Sequence, residues 1–329
     1  MEATTSTDNR FDSIARRRRT QPTSTGKRVS PQTRDLLWFS KLHEHGPLPS
    51  SFLLEFSQGM CRSEKRAKER LTDLFNENNT PHDGSYLTRP LQQFRTIDSR
   101  YNQLVYDLAP AAERALQDEG LWHERQARPS GPWLHQFMVS CITASIELAT
   151  LARPDLSYIP QHEILARADA VLRHSITITD PATGRRVEKD LIPDALFGLR
   201  YRTDDGDRFR FFVVEADRAT EPARSGNWRR KSFEGSLLQY REYVGQGGYR
   251  DHLNLTAPLL VLYVTSSQKQ MERMIALAEE LSGPGGNPYT LFRTCEAFGP
   301  VFRPPQPMHD LLNSAWRRAA MSDFFVDRP

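Results

Sequence analysis

The 329-residue chain carries 44 Lys and Arg against 41 Asp and Glu, and 38% of its residues are hydrophobic. That composition excludes a collagen, a coiled coil and a wholly disordered chain, and the length suggests two domains, each able to bury its own core. Three scattered cysteines, Cys61, Cys141 and Cys295, with no Cys-x-x-Cys pair, exclude a disulfide framework and a structural zinc site, so a reduced, cytoplasmic protein is expected.

Residues 1–30 hold seven basic and three acidic side chains and little that is apolar, which predicts a disordered basic tail. Its Arg16–Arg19 run is followed by no apolar stretch, so it is not a secretory signal. From Ser30-Pro31 the signals change to helix. Leu36, Leu37, Phe39 and Leu42 give the first helix an apolar side, and Gly46-Pro47 stops it. A second short helix fits Pro49 to Phe56. A third opens near Ser63-Glu64, with Ala67, Leu71, Leu74 and Phe75 inward and Arg62, Lys65, Arg66, Glu69 and Thr72 outward.

Tyr86 to Thr88 and Gln103 to Leu108 then read as a hairpin, and Ala109 to Glu119 as a closing helix. Three tightly joined helices and a hairpin resemble a winged helix-turn-helix over residues 31–120. In that arrangement the third helix enters the major groove of double-stranded DNA. Arg62, Lys65 and Arg66 would then meet bases or phosphates, with Arg89 or Arg95 acting from the wing. A two-fold DNA site would call for a homodimer, although no heptad marks a dimer helix.

Residues 121–133, with prolines, a glycine and several charges, read as a linker to a second domain over 134–329. Its apolar run, Trp133 to Ala152, contains His135, Gln136 and Glu147, which predicts a buried helix rather than a membrane span. After it, strands are expected around Tyr158 to Leu165, Leu191 to Tyr201 and Arg208 to Asp217. A helix over Trp228 to Tyr243, a strand Leu259 to Thr265, a helix Gln268 to Leu281 and a strand Tyr289 to Thr294 follow. The stretch Pro300 to Pro307 leads to a final helix, Asp310 to Met321. The fold class is α/β, a mixed sheet flanked by helices.

The chemistry concentrates at Pro193-Asp194 and, beyond an Asp-Gly hairpin turn, at Glu215-Ala216-Asp217. Alternation along the strand puts Phe209, Phe211, Val213, Glu215 and Asp217 on one face, apolar at one end and acidic at the other. Three carboxylates placed together need a shared cation or proton. Mg²⁺, which prefers oxygen ligands and keeps waters, fits Asp194 and Glu215 and would activate a water for in-line attack on a phosphodiester. Glu147, the one charged residue between Pro132 and Arg153, lies either at an exposed edge of its helix or against a partner in the interior.

Pro193-Asp194 with Glu215-x-Asp217, behind a helix bearing Glu147, resembles the PD-(D/E)XK nuclease superfamily. Together with the upstream winged helix, the Glu215-x-Asp217-Arg218-x-Thr220-Glu221 string and Gln239-Tyr240-Arg241, the chain resembles the replication-relaxation family over roughly residues 31–300. The resemblance implies a role in plasmid or mobile-element replication or transfer, with replication or transfer proteins as partners. It implies metal-dependent DNA nicking or cleavage by Asp194, Glu215, Asp217, Lys231 and Glu147, with Asp194, Glu215 and Glu147 as metal ligands. The superfamily lysine is replaced by Asp217, so Lys231 is expected to supply the cation from the next helix. A DNA-binding protein without catalysis is the alternative. Tyr240 and Tyr243 are read as packing residues.

Overall fold

A computed structural model describes residues 19–329 apart from 79–80, 96–98, 100, 125–130, 180–182, 219–220, 226–230 and 300. The chain divides into two compact units, Met1–Trp122 and His123–Pro329.

In the first unit, α1 (Thr33–His45), α2 (Ser50–Phe56) and α3 (Glu64–Asn76) precede a small sheet, and α4 (Pro110–Asp118) follows it. The sheet has the order β1 (Leu48–Pro49), β3 (Val105–Leu108), β2 (Leu87–Thr88), with antiparallel pairing throughout. Helix starts follow local chemistry. The Asp35 carboxylate accepts the Gln32 N–H at 2.9 Å, and Ser63 Oγ accepts the Arg66 N–H, so orphan donors are satisfied at both N-termini. Trp38, Phe39, Leu42, Phe52, Leu53, Leu71, Leu74, Tyr86 and Tyr106 form a closed core.

Residues 19–30 depart from the expected disorder. Thr23 N–H donates to Asn76, while Ser24 Oγ and the Thr25 N–H and Oγ1 donate to the Glu77 carboxylate, at 2.6 to 2.9 Å for the closest contacts. Lys27 pairs with Asp73, and Val29 is buried. Low apolar content misled here because a single buried acid, Glu77, supplies the anchor. Residues 1–18 lie outside the described residues.

The second unit is built on a seven-stranded mixed sheet in the order β12-β11-β10-β9-β8-β7-β4. Its strands are β4 (Leu156–Ile159), β7 (Ala195–Thr203), β8 (Gly206–Asp217), β9 (Leu259–Thr265), β10 (Thr290–Thr294), β11 (Ala315–Arg318) and β12 (Met321–Phe325). β8, β9 and β10 run parallel, whereas β4, β7, β11 and β12 pair antiparallel with their neighbours. Gly198 faces Phe211 across the β7–β8 hairpin, and a Cβ there would lie 2.8 Å from the Phe211 ring.

Helix α5 (Trp133–Leu151) packs on β4, β7 and β8. It is the one described helix long and apolar enough to cross a membrane, and most of it is buried within the fold. Its hydroxyls are satisfied inside the helix: Ser140 donates to Gln136 O, Ser145 to Cys141 O and Thr150 to Glu147 O. On the opposite sheet face, α7 (Phe233–Tyr240) and α9 (Gln268–Ser282) share a core with Phe211, Val213, Val261, Tyr263 and Phe292. α6 (Gln161–Ala168), α8 (Gly248–Leu253) and the β5–β6 hairpin (His174–Thr179, Arg186–Leu191) also contribute to that core.

Three expected elements differ. The strand foreseen over Tyr158 to Leu165 ends at Ile159, because Pro160 caps α6. The helix foreseen from Trp228 begins at Phe233, with Ser232 as its N-cap, and residues 228–230 lie outside the described residues. The final helix, α10 (Asp310–Asn313), is a single turn. The β11–β12 hairpin replaces the rest, turning through Ala320 at φ +54 and burying Trp316, whose Nε1 donates to Leu311 O. Arg- and Ala-rich composition favours helix, but burial of Trp316 outweighs that preference.

Candidate active site

The start of β7 lies beside the end of β8, since Ala195 pairs with Val214 and the Asp194 N–H donates to Val214 O at 3.0 Å. This register delivers Asp194 next to Glu215. The Asp194 side chain is 6% exposed; its Oδ2 accepts the Ala216 N–H at 2.8 Å, and its Oδ1 accepts from His135 Nε2 at 2.9 Å. Glu215, 5% exposed, accepts the Tyr240 hydroxyl from α7 on Oε1. Its other oxygen lies 3.7 Å from Lys231 Nζ, which also pairs with Glu221 at 2.7 Å.

Electrostatics follow from this crowding. Burial, reinforced by the Asp194 charge, pushes the Glu215 carboxyl up to about 8, against the opposing pull of Lys231 and Tyr240. Burial alone would lower the Lys231 ammonium, but Glu215, Asp194 and Glu221 hold it above its ordinary value. The hydrogen bond to Asp194 raises the His135 imidazole in spite of burial. Burial and the nearby Glu215 charge raise the Tyr240 phenol far above its ordinary value, in keeping with a hydroxyl that donates to Glu215.

Asp194, Glu215 and Lys231 therefore meet, while Glu147 stands apart. Glu147 lies twelve positions beyond His135 on α5, about 18 Å farther along the axis at ~1.5 Å per residue. It does not reach this corner. Asp217 shares the Glu215 face one pleat on and accepts from Gln270 Nε2 of α9 at 3.2 Å, with its side chain buried. His135 and Tyr240 took the places that sequence reasoning left unassigned. The signal for His135 was a titratable ring in the first turn of an apolar helix. Ala219 and Thr220, within the motif string, and Arg229 and Arg230 lie outside the described residues.

In the first unit, Lys65 and Arg66 are exposed on α3, Arg62 is exposed just before its N-cap, and Arg66 pairs with Glu69 at 3.0 Å. That face carries Lys27, Lys65, Arg66 and Lys68 interleaved with Glu64, Glu69 and Asp73, lining one shallow groove. Arg89 is a correction. Its guanidinium is buried over the Phe75 ring at 3.9 Å and donates to Tyr106 Oη and Arg19 O, so it is packed inside the unit rather than presented from a wing.

The replication-relaxation family model matches residues 39–259, more than half of the chain and a span that includes Asp194, Glu215 and Lys231. The chain belongs to the replication-relaxation family. No curated protein and no solved structure matches it.

Proposed function

We propose that this replication-relaxation protein binds double-stranded DNA through a winged helix-turn-helix and acts on it with a PD-(D/E)XK-like domain in plasmid or mobile-element replication or transfer. Family membership supports the replication setting. The order α1, α2, α3, β2, β3, with β1 joining the small sheet, supports the winged reading, as do exposed Lys65 and Arg66 on α3 and exposed Arg62 just before it. The exposed Arg66–Glu69 pair is worth little, so Arg66 exchanges it readily for a phosphate. Three free cysteines suit a reducing cytoplasm.

The observation that carries the catalytic reading is the convergence of Asp194 and Glu215 from adjoining strands beside Lys231. Two buried carboxylates in electrostatic range, one held protonated to about 8 even with Lys231 beside it, fit a hard divalent ion such as Mg²⁺. When bound, such an ion would supply charge neutralisation and an activated water. The remaining roles belong to the chain. His135 and the Ala216 N–H fix the Asp194 carboxylate, Tyr240 fixes Glu215, and Lys231 offers its ammonium to a phosphate oxygen. Glu147 has no role here, and Asp217 orders the strand end through Gln270. Incubation with supercoiled DNA and Mg²⁺ tests this: nicked or linear product is expected from the native chain and none from Asp194→Ala.

A second reading keeps DNA binding without catalysis. It rests on Asp217 in place of the superfamily lysine and on Lys231 being drawn to Glu221, 2.7 Å away, more closely than to Glu215. Salt-sensitive binding with no cleavage in Mg²⁺ or Mn²⁺ would support it.

A further inference from the structure

Two histidine rings stack where β5 begins. His174, the first residue of that strand, lies against His252 of α8, with ring centroids 4.3 Å apart and planes 25° from parallel. Tyr243 completes the cluster from a π-helical turn, Arg241–Gly245, that directly follows α7. Such turns are rare and recur at functional sites.

The cluster suits neutral imidazoles. His252 Nδ1 lies 2.7 Å from Tyr243 Oη, and burial raises the Tyr243 phenol above its ordinary value, so the hydroxyl keeps its proton and donates to the ring. His252 also hydrogen-bonds to the Val171 backbone, three residues before His174. A ring with one N–H and one lone pair serves both contacts, whereas a second proton turns Nδ1 into a donor facing that hydroxyl. Charges on the surrounding elements are engaged with one another: Arg173 with Asp190 on the hairpin, Arg241 with Glu242 on the π-helical turn, Arg167 with Glu163 on α6 and Arg224 with Glu234 at α7. Glu188 accepts from Ser175, Lys189 lies toward Lys231 and Glu221, His162 stacks on His123, Arg250 lies over Tyr249, and Asp169 and Asp251 are exposed. Burial, joined by the His174 charge, holds His252 below its ordinary 6.5. The opened chain therefore takes the proton more readily than the closed one, and closure weakens as pH falls below 6.5.

This cluster sits on the path into the acidic corner. His174 pairs with Leu191, the last residue of β6, and Asp194 stands three residues further on. We propose that His174 and His252 form an acid-sensitive latch on the strand leading into Asp194: neutral rings stack and hold the open end of the β5–β6 hairpin against α8, and protonated rings repel, freeing β6 and the segment that delivers Asp194. Gln239 Nε2, which donates to Asp190 O at 3.0 Å, keeps the hairpin tethered to α7 when the latch opens. The latch stands whether or not the acidic corner cleaves DNA.

Amide hydrogen exchange of the full chain, read by mass spectrometry at about pH 7.5 and about pH 5 and corrected for the intrinsic pH dependence of exchange, tests it. Peptides covering residues 174–179 and 186–194 are expected to lose protection about tenfold at the lower pH, while β8 and β9 keep theirs. His174→Phe stacks without taking a charge, and His252→Gln still accepts from Tyr243; both are expected to hold the hairpin closed at either pH. Unchanged protection in the native chain overturns the proposal, as does a loss spread evenly over the sheet or an equal acid loss in the two variants. If one variant leaves the hairpin open near neutral pH, the other decides. An open hairpin in both overturns the latch, since neutral side chains suffice to close it.

Discussion

His135 Nε2 lies 2.9 Å from Asp194 Oδ1, joining the first turn of α5 to the start of β7. This bond, together with the Ala216 N–H, sets the direction of the Asp194 carboxylate. The hydrogen bond raises the His135 imidazole above its ordinary 6.5. A raised folded-state value means the stabilisation is fully present below 6.5 and is lost as pH rises through the folded value. His135→Phe is expected to cost about 1.5 to 3 kcal/mol near pH 6 and clearly less near pH 9, read from urea unfolding.

Glu215 titrates in the same sense, for a different reason. Burial and Asp194 hold its proton to about 8 in the folded chain, against 4.5 unfolded. Between those values the folded state binds the extra proton, so stability falls as pH rises, by at most about 1.4 kcal/mol per pH unit. Glu215→Gln removes this penalty. Thermal unfolding without divalent ions is expected to show the variant more stable than the native chain at pH 8, with the gap closing toward pH 5.

Arg89 and the α3 basic residues separate structure from DNA contact. Arg89→Ala removes a guanidinium packed on Phe75 and bonded to Tyr106, and is expected to cost about 2 to 3 kcal/mol of stability. Lys65→Ala with Arg66→Ala is expected to leave stability within about 0.5 kcal/mol while lowering the salt slope of DNA binding by about 1.8. Melting curves and binding isotherms on the same samples check both.

Glu77 anchors residues 24–26 against the end of α3, and Asn76 holds Thr23 beside them. Burial alone would raise its carboxyl, but hydrogen bonds from Ser24, Thr25 and Gly26 outweigh burial and hold it below 4.5. Its contribution is therefore present above 4.5 and is lost as pH falls through the folded value. Glu77→Ala is expected to lower stability by about 2 kcal/mol at pH 7 and to open residues 19–30 to protease, read by peptide mapping.

The β7–β8 hairpin was legible because its signals agree: an Asp-Gly turn, alternating apolar residues and an acidic end. Asp204 and Asp205 form the turn, and the strands run up to it on both sides. The first three helices of the first unit were legible from spacing and caps. Glu147 was misplaced because a lone acid on an apolar helix gives its face but not its depth along the axis. The β5–β6 hairpin went unseen. Its alternation, Ile176 and Ile178 inward against Lys189, carries a charge where the pattern demands an apolar group. Arg89 reads as a surface cation in sequence, because only the fold reveals Phe75 and Tyr106 on either side of it.

Direct titration of Mn²⁺ or Mg²⁺ into the metal-free full chain by calorimetry tests the acidic corner most immediately. One ion per chain is expected, with proton release near pH 7 as Glu215 ionises, and binding should be lost in both Asp194→Asn and Glu215→Gln while Glu147→Gln retains it. Equal binding by the native chain and the Asp194 and Glu215 variants, or dependence on Glu147 instead, would contradict the account.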